Sequence, residues 1–161
     1  MIEHCHCQKI NPEDWDEKEH CWKDPRFFYR VTTRMAFHQP FSYHEDITLA
    51  MAEARSKGYI IKEDAVVLLK SGLFRGELLV EIQPPRSEKL EPDPACLQLQ
   101  GRFYSRVAQA PLMRMGKDID KLTRDLKKKE KKVQNLYLCL INCPSCVREK
   151  GNQTVVIAHL H

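Results

Sequence analysis

The chain reads as an α+β domain: two tandem βαββ units forming one antiparallel sheet, with two helices on one face and a groove between them. Three observations predict this. Runs rich in β-branched and aromatic residues alternate with two amphipathic helical patterns. The order strand, helix, strand, strand occurs twice. A proline-rich stretch, Pro84 to Pro94, separates the two occurrences, with four prolines and five charged residues.

Residues 1–25 are polar and irregular and form an N-terminal arm. Trp15 and Trp22 are costly to leave in water, so the arm should pack on the domain through its indoles. Asn11 or Pro12 can open a single helical turn. The domain proper spans 26–161, with repeat one over 26–83, a linker over 84–96 and repeat two over 97–160.

In repeat one, Phe27 to Met35 reads as a strand and Phe37-His-Gln-Pro40 ends it. Ser42-Tyr-His-Glu45 matches a capping box, Ser at the N-cap and Glu three residues on. Ile47, Ala50, Met51 and Ala54 share one helical face, and Gly58 suits the C′ position. Ala65 to Leu69 and Glu77 to Ile82 are strands around the turn Ser71 to Gly76. In repeat two, Leu97 to Ala108 is a strand bent at Gly101. Pro111 then opens a helix whose apolar face is Met115, Ile119, Leu122 and Leu126. Leu136 to Ile141 and Thr154 to Leu160 make a hairpin whose turn carries Cys143-Pro-Ser-Cys146 and a polar tip to Asn152.

Composition excludes several classes. With 161 residues, 42% hydrophobic and 30% charged, the chain can bury a core of ordinary size. No apolar run approaches the ~20 residues of a membrane helix, and the N-terminus lacks the pattern of a signal peptide, so a cytoplasmic protein without membrane partners is expected. The net charge of +4 is mild, and much of the excess sits in Lys127 to Lys132. One basic run at a helix end, without interleaved aromatics, argues against nucleic acid as a partner. No Gly-rich phosphate loop, G-x-S-x-G or H-E-x-x-H occurs. Oligomeric state is not encoded in any motif, and a homodimer stays open.

Seven cysteines in a reducing compartment point to metal, redox chemistry or burial rather than a disulfide framework. Cys5-x-Cys7 and Cys143-x-x-Cys146 supply four thiols, the ligand set of a closed structural zinc site. Reduced, unligated thiols or a Cys143–Cys146 redox pair are the alternatives. His4, His6 or His20 could replace one cysteine, and Cys21, Cys96 and Cys139 read as core residues.

The element order resembles the GyrI-like small-molecule-binding superfamily. Phe103-Tyr-Ser-Arg-Val107, leading through Ala110-Pro111 to Met115-Gly-Lys117, is similar to the strand that runs into a Gly-Pro-Tyr helix start there. Ala110 and Leu112 stand in place of the Gly and Tyr. The Cys143 hairpin, Trp22 through Phe37-His-Gln-Pro40, and Phe74-Arg-Gly-Glu77 resemble a stand-alone subgroup commonly labelled "hydrolase".

The resemblance implies a ligand groove for a small hydrophobic or aromatic molecule. It also implies a pocket glutamate suited to cationic ligands or acid–base work, which matches Glu81. Alternation in Glu77 to Ile82 leaves two readings of Glu81: a solvated carboxylate, favoured because unpaired Glu is rarely buried, or a pocket acid. Tyr29, His38 and Tyr104 are the ligand-lining candidates. The leading function is a stand-alone binding protein with structural zinc. A hydrolase of reactive small molecules is the alternative, with Glu81 as general base and Tyr137 orienting or protonating the substrate. A zinc-stabilised interaction module is the third reading.

Overall fold

The computed structural model describes residues 7–36, 39–86, 93–111, 114–142 and 144–161. It is α+β, with antiparallel pairing in every strand pair given below. The elements are β1 (Lys18–Ala36), β2 (Gln39–Pro40), α1 (Tyr43–Ser56), β3 (Val67–Lys70), β4 (Arg75–Ile82), β5 (Cys96–Ala108), α2 (Gly116–Lys128), β6 (Val133–Leu140), α3 (Pro144–Lys150) and β7 (Thr154–Leu160). The chain divides into two compact units, 22–100 and 1–21 with 101–161.

In unit 22–100 the strands run β2-β1-β4-β3. Tyr29 lies opposite Val80 and Phe28 opposite Glu81. Since facing residues share a face, Tyr29, Val80 and Ile82 point one way and Phe28, Arg26 and Glu81 the other. The first face meets α1: Tyr29, Ala54, Tyr59 and Ile82 form one buried cluster. Ala50 and Ala54 are the fully buried residues of α1, as the helical spacing predicts.

Ser42 is the N-cap of α1, but its side chain makes no capping bond, so the capping box forms in position only. The C-terminus closes as a Schellman motif. Gly58, at φ +88°, donates its N–H to Arg55 O at 3.0 Å, and Tyr59 donates to Ala54 O at 3.0 Å. That turn drives the Tyr59 ring back under the helix, against Ala54.

In unit 1–21 with 101–161 the order is β6-β7-β5. The β6–β7 pairing expected for the last hairpin is present, with Leu136 opposite Ala158 and Leu138 opposite Val156. The segment between them is the helix α3 rather than a turn with a polar tip. Cys146 is therefore a buried helical residue. Helix α2 begins at Gly116, one turn later than Pro111 suggests: Arg114 N–H bonds back to Pro111 O at 2.9 Å, a local turn that precedes the helix. Most of the lysine run is exposed, as a solvated helix end is, with Lys131 half-buried. Lys129 and Lys131 place their ammonium groups 5.4 and 5.7 Å from the Tyr104 ring centre, and Lys131 pairs with Glu19.

The arm adds a 3₁₀ turn at Pro12–Asp14, with Asn11 accepting from Glu13 N–H at 3.2 Å. Its remainder is more regular than expected, since β1 starts at Lys18 rather than Phe27. Trp15 is half-buried and packs its ring 4.5 Å from His20. Cys21 is exposed, not a core residue, because it sits on the outward side of this early part of β1.

Candidate functional site

Glu81 is the centre of a buried ionic cluster in unit 22–100. It sits in an apolar run, Leu78 to Ile82, and both faces of β4 are covered there, so it is only 1% exposed. The expectation of a solvated carboxylate fails for that reason. A carboxylate cannot stay ionised in such a place without partners.

Four donors supply them. Arg26 is two residues before Phe28 and so shares the Glu81 face. It holds the carboxylate bidentately, Nε to Oε1 at 2.8 Å and Nη2 to Oε2 at 2.7 Å. The segment 60–62 pairs with 81–83 as a short antiparallel ladder, through Gln83 N–H to Ile60 O, the Ile61–Ile82 bridge, and Lys62 N–H to Glu81 O. That ladder brings Lys62 Nζ to Oε1 at 3.0 Å, and the Val66 N–H donates to Oε2 at 3.1 Å.

Each oxygen thus accepts two bonds, which fills a carboxylate. Burial pushes the Glu81 carboxyl up, but the hydrogen bonds from Arg26 and Lys62 prevail and hold it below the usual range. The Trp22 ring lies 4.4 Å from the Arg26 guanidinium carbon and caps the ion pair from outside. Arg26 and Lys62 keep 26% and 36% of their side chains exposed, so the cationic edge of the cluster reaches solvent.

A second network occupies the opposite face of β1 and β4. Tyr29 OH donates to Glu53 Oε1 at 2.7 Å, and Tyr59 OH to Asp93 Oδ2 at 2.9 Å. Lys57 Nζ lies 3.5 Å from Asp93 Oδ2 and 3.9 Å from Glu53 Oε1. The Ala95 N–H bond, then Tyr59 and Lys57, hold the Asp93 carboxyl below its ordinary range. Tyr59 is pushed up by burial and by Asp93, so its phenol stays a donor. Beside this network, between the end of α1 and the end of β4, lies a depression of about 500 Å³. Lys57, Tyr59, Ile60, Gln83, Pro84 and Arg86 line it.

The candidates from sequence fall as follows. Tyr29 and Glu81 are in one unit but on opposite faces of the β1–β4 pair, so they do not act on a common molecule within it. Tyr104 and Tyr137 are buried residues of the other unit. Tyr104 donates to Glu17, and its ring is covered by two lysines, which makes it a packing residue there. His38, Cys5 and Cys143 lie outside the described residues. Cys7 is half-buried, and Cys139 is fully buried with its thiol pushed up to about 12. Among the described residues, no three His, Cys, Asp or Glu side chains gather as a metal site.

Arg26 and Lys62 were not legible as site residues. Their signal was indirect: a glutamate inside an apolar run requires buried cations, and only the strand register names them.

A sequence model of one family matches residues 2–160, nearly the whole chain. The chain belongs to the bacterial hydrolase family. The fold of this family member is similar to three solved structures. The EcmrR C-terminal domain matches with TM-score 0.63 and 9% identity, over 89% of this chain and 94% of that one. An uncharacterized conserved protein from Listeria innocua matches at 0.60 and 9%, over 91% and 93%. A hydrolase from Listeria innocua matches at 0.59 and 11%, over 91% and 93%. At these identities the likenesses are of fold alone. No curated protein matches the chain. No helix among its described residues is long and apolar enough to cross a membrane.

Proposed function

We propose that this bacterial hydrolase family member is a small-molecule-binding protein of the GyrI-like type, taking a hydrophobic or aromatic ligand. The observation that carries the reading is the depression of about 500 Å³ beside Tyr59, a volume suited to a small ligand. Its apolar side includes Ile60, which is 51% exposed. Nile red, a neutral aromatic dye, should bind with a dissociation constant on the order of micromolar. Ile60→Asp should weaken that binding at least about fivefold with unchanged circular dichroism. A flat titration, or binding indifferent to this substitution, defeats the reading.

The hydrolase reading draws on the family's description. It would need Glu81 to accept a proton from water, with Tyr137 as donor. Glu81 has no open acceptor position and is held ionised at the expense of basicity, which favours binding over turnover. We further infer that 26–83 and 97–160 are copies of one βαββ unit, since β1, β2, α1, β3, β4 is followed by β5, α2, β6, α3, β7, the same order apart from the short β2 and α3. An experimental structure in which these segments do not superpose would end that inference.

The zinc ion on Cys5, Cys7, Cys143 and Cys146 is also part of the proposal. Its support is Gln8, the neighbour of Cys7. Gln8 N–H donates to Ile141 O at 2.9 Å and its Nε2 to Leu140 O at 3.0 Å, tying the arm to the chain just before Cys143. Purified protein should carry about one zinc, with sulfurs ~2.3 Å from the metal. Chelation should loosen residues 1–22 and lower the melting temperature. Metal-free protein that melts identically with and without chelator would exclude the clip.

A further inference from the structure

The resemblance to GyrI-like proteins points to a glutamate that greets cationic ligands. In this chain that carboxylate is already spoken for. Glu81 is buried, and both its oxygens are filled by Arg26, Lys62 and the Val66 N–H. What reaches solvent is the cationic half of the cluster.

Two residues that line the depression, Ile60 and Gln83, belong to the ladder that holds Lys62 against Glu81. Ile60 with Gln83 and Lys62 with Glu81 are alternate rungs of the same short ladder, so all four side chains share one face. Alternate rungs are about 7 Å apart. The lining of the depression holds two cations, Lys57 and Arg86, and no carboxylate. Lys57 is committed to Glu53 and Asp93. Arg86 forms no ion pair among the described residues, and its planar fork suits a carboxylate.

We propose that this depression selects an anionic ligand: a carboxylate on an apolar or aromatic body, with the carboxylate on Arg86 and the body against Ile60 and Pro84. The proposal rests on the binding reading above and adds the charge of the ligand to it.

Three probes of one shape test it on the full chain: 2-naphthoate, 2-naphthylmethylammonium and 2-naphthylmethanol. Calorimetric titration at low salt should find the naphthoate about tenfold tighter than either of the others, the effect of one partly screened charge contact. Amide signals of Ile60 and Gln83 should shift on its addition. The exposed Arg86→Gln should reduce the preference to about threefold or less, with an unchanged melting curve. Equal or tighter binding of the ammonium or the alcohol overturns the charge assignment and leaves the binding reading standing. So does an Arg86→Gln protein that keeps the full preference. If none of the three binds, the binding reading itself falls.

Discussion

Glu81→Gln should destabilise the protein by about 3 kcal/mol near neutral pH, the scale for removing one partner of a buried ionic cluster. For a chain of this size that lowers the melting temperature by roughly 6–12 °C. The amide loses one acceptor oxygen and the charge, so Arg26 and Lys62 face each other without a counterion, and the Val66 N–H or an Arg26 donor is left short. The substitution thus acts on the fold itself, whatever the role of Glu81 toward a ligand.

The pH dependence follows from the same cluster. The Glu81 carboxyl is held below its usual 4.5, so its contribution is fully present above that pH and is lost as the pH falls through the depressed native value. Wild type and Glu81→Gln should therefore differ most at pH 6–7 and converge in acid. Urea denaturation at pH 7 and pH 3 checks both points. A gap that is small at pH 7, or that widens in acid, would contradict the account.

Gly76→Ala should cost about 2–3 kcal/mol, from overpacking at a backbone contact. A Cβ there would sit 2.3 Å from Met35 Sδ and 2.9 Å from Lys70 O. The thioether can swing aside, although it also accepts from the Gly72 N–H at 3.4 Å. The Lys70 carbonyl cannot move without distorting β3, which pairs with β4 through Lys70 opposite Glu77. Equilibrium unfolding of the variant measures the loss directly. Stability within about 0.5 kcal/mol of wild type would mean that β3 and β4 are looser here than the register implies.

Local signals located most elements. The strand at Phe27 to Met35, the helix opened at Ser42 and closed at Gly58, and the hairpin strands around Cys143 all follow from period and punctuation, because these depend on near neighbours. Where local signals competed, sequence reading erred: Pro111 made a turn one step ahead of α2, and Pro144 to Lys150 closed into α3 where Pro, Ser and Gly suggested a turn.

The site was less legible. That Glu81 mattered could be read from a charge inside an apolar strand. Whether it was buried, and by whom it was held, depended on the β1–β4 register and the 60–62 ladder, which join residues 19 and 55 apart in sequence. The sequence by itself determined the order of elements, the apolar faces and the presence of an acid needing partners. Only the tertiary structure decided that Arg26 and Lys62 are those partners, because which side chains meet across strands is fixed by pairing register, and register is a property of the assembled sheet.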